Sequence, residues 1–146
     1  MTWREAFTAL AAISVPGVAT SFDLDELPTA LPAASLPALA PAFPQSGGEA
    51  GLATLTYDGS VWQAALRVDH VLYWQPAWSE GGLSAVLPDL IDTVDAYLTA
   101  VSEDGTLGDV LDYELTLRAV LPGVVTYAGV RFYGAVFQHE WLRRVA

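Results

Sequence analysis

His70 and His139 are the only histidines in the chain, and there is no cysteine. They are the side chains whose ordinary pKa would let them exchange protons near neutrality, or hold a metal through nitrogen. Each stands beside an acid, in Asp69-His70 and His139-Glu140. Both pairs fall in stretches that read as β-strands, where neighbours point to opposite faces, so neither pair can close on one ion. A metal site would need three or four convergent ligands. The reading is two ordinary polar or partly buried histidines, with no metal, no cofactor and no catalytic residue assigned. The sequence carries no G-x-S-x-G, H-E-x-x-H, phosphate-loop or G-x-G-x-x-G pattern either.

The second group with chemical potential is acidic. Asp89, Asp92 and Asp95 recur at i, i+3 and i+6, which strings them along one side of a helix. In a cleft that shifted their pKa values they could serve as general acids or bases. On a wet helix face they are solvated charge. Their setting gives them weight: ten acidic residues and no basic one lie between Val68 and Leu117. The whole chain sets 17 acids against six arginines and no lysine, for a formal net charge of −11. That balance excludes a protein that grips nucleic acid by its phosphates. It suits a surface facing solvent or a channel, past which DNA slides without sticking.

These residues need elements to hold them. Thr2-Trp3-Arg4-Glu5 fits a capping box, and Trp3, Phe7, Leu10 and Ala11 follow on one face, predicting a first helix that ends near Ser14 before Pro16-Gly17. Val18 to Phe22 reads as a short strand. Residues 27–51 hold Pro28, Pro32, Pro37, Pro41 and Pro44 and then Ser46-Gly47-Gly48. No helix can run through that spacing, so the segment reads as an extended arm with a short strand and a flexible joint, not as a membrane span. Leu52–Tyr57 and Val61–Trp74 flank Asp58-Gly59, a strong hairpin signal. The second arm has two apolar faces at its far end, as in a strand covered on both sides or one that meets a partner chain. Leu83, Val86, Leu87, Leu90, Ile91, Val94, Leu98 and Val101 step by three and four, predicting a second helix with Pro88 in its first turn and Asp104-Gly105 at its end. Leu111 to Ala119 alternates as a half-buried strand, Pro122-Gly123 reads as a turn, and Ala128-Gly129 turns the chain into a last strand, Val130–Trp141. The order predicts an α+β fold of one domain, 1–146, with two main helices packed on a mostly antiparallel β-sheet.

The chain is 53% hydrophobic and only 16% charged, against roughly 25% charged in ordinary soluble domains. That much apolar surface points to burial in an assembly. Trp74, Trp78 and Trp141, with Pro37 and Leu39 of the proline arm, are the candidate subunit interface, Trp78 foremost because amphipathic aromatics are favoured at contacts. The N-terminus has no apolar stretch behind a basic flank and does not read as a signal peptide.

Three stretches resemble the tail terminator (tail completion, or neck) proteins of long-tailed bacteriophages. The Thr2-Trp3-Arg4-Glu5-Ala6-Phe7 helix leads through Pro16-Gly17 to Leu36-Pro37-Ala38-Leu39, like that family's first helix and proline-bounded strand. Leu87-Pro88-Asp89-Leu90-Ile91-Asp92-Thr93-Val94 runs into Asp104-Gly105-Thr106-Leu107-Gly108-Asp109, similar to its helix and following turn, with Asp109 where a second glycine is common. Tyr127-Ala128-Gly129-Val130-Arg131-Phe132-Tyr133-Gly134 looks like its closing hairpin. The resemblance implies a virion structural protein without catalysis. It would form a homo-oligomeric ring, six subunits by the family's habit, that caps the tail tube protein on one side and meets a neck or head-completion protein on the other. DNA would pass through without specific binding. Another neck or head-closure connector is the near alternative. From a different class, Trp62, Asp69 and His70 could line the pocket of a small-molecule-binding or enzyme domain; that reading requires the three to converge.

Overall fold

The computed structural model describes residues 1–43, 51–58, 61–78 and 81–145. Helix α1 (Trp3–Ala11) starts on the capping box expected of it: the Thr2 hydroxyl accepts from the Glu5 amide at 3.1 Å, and Glu5 accepts from the Thr2 amide at 2.7 Å. Its buried side is Ala6, Phe7 and Leu10. A two-residue strand β1 (Thr20–Ser21) pairs in parallel with β2 (Ala38–Ala42). Strand β3 (Gly51–Asp58) pairs antiparallel with the long β4 (Val61–Pro76) from Asp58↔Val61 onward; Gly59 and Ser60 of the intended turn lie outside the described residues. Helix α2 (Gly82–Glu103) follows, then β5 (Thr116–Tyr127) and β6 (Val130–Val145).

The sheet runs β1-β2-β4-β6-β5, with β3 sharing the β2 side of β4. Only β1–β2 is parallel, so the architecture is α+β with both helices on a mostly antiparallel sheet. Period-two alternation on β4 sorts its side chains. Ala64, Leu66, Val68, His70 and Leu72 are buried on the helix face, and Val71 and Tyr73 on the other, which makes β4 the doubly covered strand its sequence suggested. On the helix face α1 packs over Leu66, Val68 and Trp141, and α2 over Leu72, Ala135 and Phe137. On the far face the cover is the proline-rich segment itself. Phe22, Leu31 and Leu36 pack against Tyr73, Val125 and Phe132, and the Tyr127 hydroxyl donates to the Pro28 carbonyl. Residues 27–43 are therefore a folded layer rather than a reaching arm, because their apolar side chains find one half of a sheet face to cover. The Ser46-Gly47-Gly48 joint lies outside the described residues.

Three local expectations change. Leu111 and Tyr113 are not in a strand; β5 begins at Thr116, and the turns before it swing Leu111 under α1 instead. Pro122-Gly123 does not turn the chain, since β5 continues through it to Tyr127. The two-residue hairpin at Ala128 (φ 49°) and Gly129 (φ 81°) makes Tyr127↔Val130 a hydrogen-bonded pair. Counting back by twos, Pro122 falls where the amide points away from β6, on a sheet edge, so its missing N–H removes nothing from the ladder. Pro88 sits in the second turn of α2 rather than the first, because the helix already starts at Gly82. Pro88 and Ser84 are both exposed, and water can replace the donor that the Ser84 carbonyl lacks. In the turn after α2, Asp109 takes φ 64°, a left-handed conformation that aspartate tolerates in place of glycine.

Candidate functional site

Helix α2 has two unlike sides. Its buried stripe is Val86, Leu90, Thr93, Val94, Tyr97 and Val101. Asp89, Asp92 and Asp95 project to the opposite side, all exposed, and none is in an ion pair among the described residues. Three of the six arginines are in ion pairs elsewhere. Glu140 takes Arg67 at 3.3 Å and Arg118 at 2.9 Å on the far face of the sheet, and Arg4 pairs with Asp25 at 3.1 Å. No ion pair among the described residues offsets the charge of Asp89, Asp92 and Asp95.

Asp89 and Asp92 also border an open groove of about 420 Å³ shared with Pro16, Gly17, Trp74, Thr93 and Ala96. Its floor is fixed by Thr93, buried, whose hydroxyl donates to the Asp89 carbonyl at 3.1 Å. Gly17, at φ +91°, leaves room for that side chain: a Cβ there would come within 3.1 Å of the Thr93 oxygen.

The candidate interface residues divide. Trp78 is 72% exposed in the turn after β4, the most exposed large apolar side chain described. Trp74 is half-buried in the groove wall, and Pro37 is half-buried just before β2. Leu39 and Trp141 must be withdrawn as contacts with another subunit. Leu39 is 1% exposed beneath α2, and Trp141 is wholly buried, its ring edge-on to Phe7 at 5.1 Å. Both lie on the helix face of the sheet, where this chain's own helices occupy the space. Trp62, and Phe43, Leu121 and Val124, which spacing did not single out, are between 45% and 51% exposed.

The pocket of Trp62, Asp69 and His70 is not assembled. His70 is fully buried on the helix face, Asp69 points to the other face, and Trp62 stands near the outer end of β4. Burial raises the Asp69 pKa above the usual carboxylate value, without any basic partner to offset it.

What spacing missed is a meeting of the two histidines. The β4–β6 register sets His70 opposite Phe137 and Val68 opposite His139, so both imidazoles share the helix face two residues apart. Tyr97 of α2 descends between them, stacked on Phe137 at 3.6 Å between centroids. Its hydroxyl lies 2.8 Å from His70 Nδ1 and 2.6 Å from His139 Nε2. All three side chains are at most 1% exposed. One hydroxyl proton cannot serve two acceptors, so Tyr97 donates to one imidazole and accepts from the other. Whichever way it runs, His70 Nε2 and His139 Nδ1 have no partner. Burial, and for His70 also the charge of His139, pushes the His70 pKa well below its usual value; burial pushes His139 down to about 4. The Tyr97 phenol is pushed well up by the same burial. The triad is neutral across the physiological range and closed to solvent. Among the described residues no group of three or more acids and histidines is placed to hold a metal, and no helix is long and apolar enough to cross a membrane.

No protein-family model matches the chain, and no curated protein matches it.

Proposed function

We propose that this chain is a structural subunit of a long-tailed phage virion, of the tail terminator kind. In this reading it forms a homo-oligomeric ring of six, ends tail-tube polymerisation, contacts tube protein on one side and a neck or head-completion protein on the other, and performs no catalysis. The observation that carries the reading is the acidic side of α2, exposed along the helix and without an ion pair among the described residues. A wall of that sign lets DNA pass without adhering, because phosphates are repelled rather than bound. The half-exposed Phe43, Trp62, Leu121 and Val124 and the 72%-exposed Trp78 supply apolar area that an assembly would bury. The family resemblance supports the choice of assembly, and the α+β architecture is compatible with it. Another neck connector would share these features; its distinguishing mark would be binding to head-side rather than tube protein. Native mass spectrometry across a concentration series tests the reading. The expected result is a closed species near six times 15.6 kDa. A monomer at every concentration, unchanged by added tail tubes, would overturn it.

A further inference from the structure

We propose that His70, Tyr97 and His139 form an acid-sensitive catch that fastens α2 to the sheet at neutral pH and lets it go on acidification. The inference is independent of the assembly reading and rests on the geometry of three buried side chains. Tyr97 is the one polar group that α2 sends into the core at this point, and its hydroxyl is the shared partner of an imidazole on β4 and another on β6. The catch holds only while its protons are counted correctly. With both rings neutral there is one hydroxyl proton and one imidazole N–H for the two hydrogen bonds. A further proton has two places to go. On the unpartnered ring nitrogen it puts a charge into apolar surroundings; on the nitrogen that accepts from Tyr97 it leaves the phenol proton without an acceptor.

Nothing nearby offsets that charge. From α2 the facing titratable group is Tyr97 itself, since Asp89, Asp92 and Asp95 point outward. From β6 the neighbours are Phe137 and Trp141, whose indole N–H is also without a partner. From α1 the adjoining core side chains are Phe7 and Leu10, and from the turn after α2 Leu107 and Leu111, all apolar. The acids next in sequence, Asp69 and Glu140, lie on the other face of the sheet, and Glu140 is already shared by Arg67 and Arg118. The imidazoles also repel each other once both are charged, with ring centroids 6.3 Å apart. The least costly escape is to lift α2, because β4 and β6 are joined by a ladder that runs from Trp62↔Val145 to Pro76↔Phe132, whereas the helix is held by side chains alone. With His139 held down to about 4 in the closed form and near 6.5 when free, protonation favours the open form by about 30-fold at pH 5 from this residue alone.

The test is hydrogen exchange read by mass spectrometry on the intact protein at pH 7.5 and pH 5, corrected for the intrinsic pH dependence of exchange. Peptides of α2 are expected to lose protection by at least about 30-fold at pH 5 while β4 and β6 keep theirs. The variant H70Q/H139Q, which retains polar side chains but cannot be protonated, is expected to lose that difference between the two pH values. Unchanged α2 protection at pH 5, loss of α2 and sheet protection together, or a full pH response in the variant would each overturn the proposal. Should the variant not fold, an NMR titration of the wild-type imidazoles decides: a ring that titrates near 6.5 inside the folded protein contradicts the catch, and rings still neutral at pH 5 support it.

Discussion

The inner and outer sides of α2 carry the same kind of group, ionisable side chains, under opposite conditions. On the outside, Asp89, Asp92 and Asp95 stand charged in water with no ion-pair partners among the described residues. On the inside, Tyr97 meets His70 and His139 with no water and no countercharge, and all three are neutral. The difference lies in solvation rather than in residue type. A charge that water stabilises costs the fold little and projects a field. The same charge in the core would cost more than the two hydrogen bonds around Tyr97 contribute. One helix can therefore present a negative surface outward while its inner side depends on having no charge at all.

The two sides of α2 differ most in their response to pH. His139 is held down to about 4 against 6.5 in the unfolded chain, so the unfolded state binds the extra proton first. Stability is full above pH 6.5, falls as the pH drops from there towards 4, and from this group falls no further below that. The loss expected from His139 is about 3 kcal/mol, and His70 adds to it in the same direction. Urea unfolding at pH 7.5 and pH 4 measures this; equal midpoints at the two would show that the imidazoles are not held neutral. A smaller effect should follow from Tyr97→Phe, which keeps the stack on Phe137 but strips both imidazoles of their partner. It is expected to cost about 1–3 kcal/mol at pH 7.5, read from the same unfolding curves. A variant as stable as the wild type would mean that the 2.6 and 2.8 Å contacts contribute nothing. The smallest effect belongs to the outer side. Asp89→Asn with Asp92→Asn and Asp95→Asn removes three of the 17 acidic side chains and should change stability by less than about 0.5 kcal/mol. A loss of 2 kcal/mol or more would place these carboxylates in structural contacts.

Much of this contrast was legible in the spacing of residues. The step of three along Asp89, Asp92 and Asp95 needs only the helical period, and the alternation along β4 needs only the strand period, so both faces could be read from chain neighbours. The capping box at Thr2 and Glu5 is likewise a local pattern. The triad was not legible, because His70 and His139 are brought together by the β4–β6 register, 69 residues apart, and no periodicity within one segment encodes which residues of two strands stand opposite. Tyr97 fell outside the stripe drawn from aliphatic spacing, although it is the largest side chain of α2 that is fully buried. Trp141 and Leu39 were misplaced for a related reason: an alternating strand shows that one face is buried but not whether the cover is the same chain or another. The path of β5 through Pro122 was hidden too, since proline reads as a break unless the strand is known to be an edge with that amide facing outward.

Whether α2 turns its acidic side to a channel or to solvent in an assembled particle can be read by carbodiimide labelling of carboxylates in the assembled species, followed by peptide mass spectrometry. Asp89, Asp92 and Asp95 are expected to label as fully in the assembly as in the free chain. Protection of those three carboxylates on assembly would contradict it, by placing the acidic side in a contact between subunits.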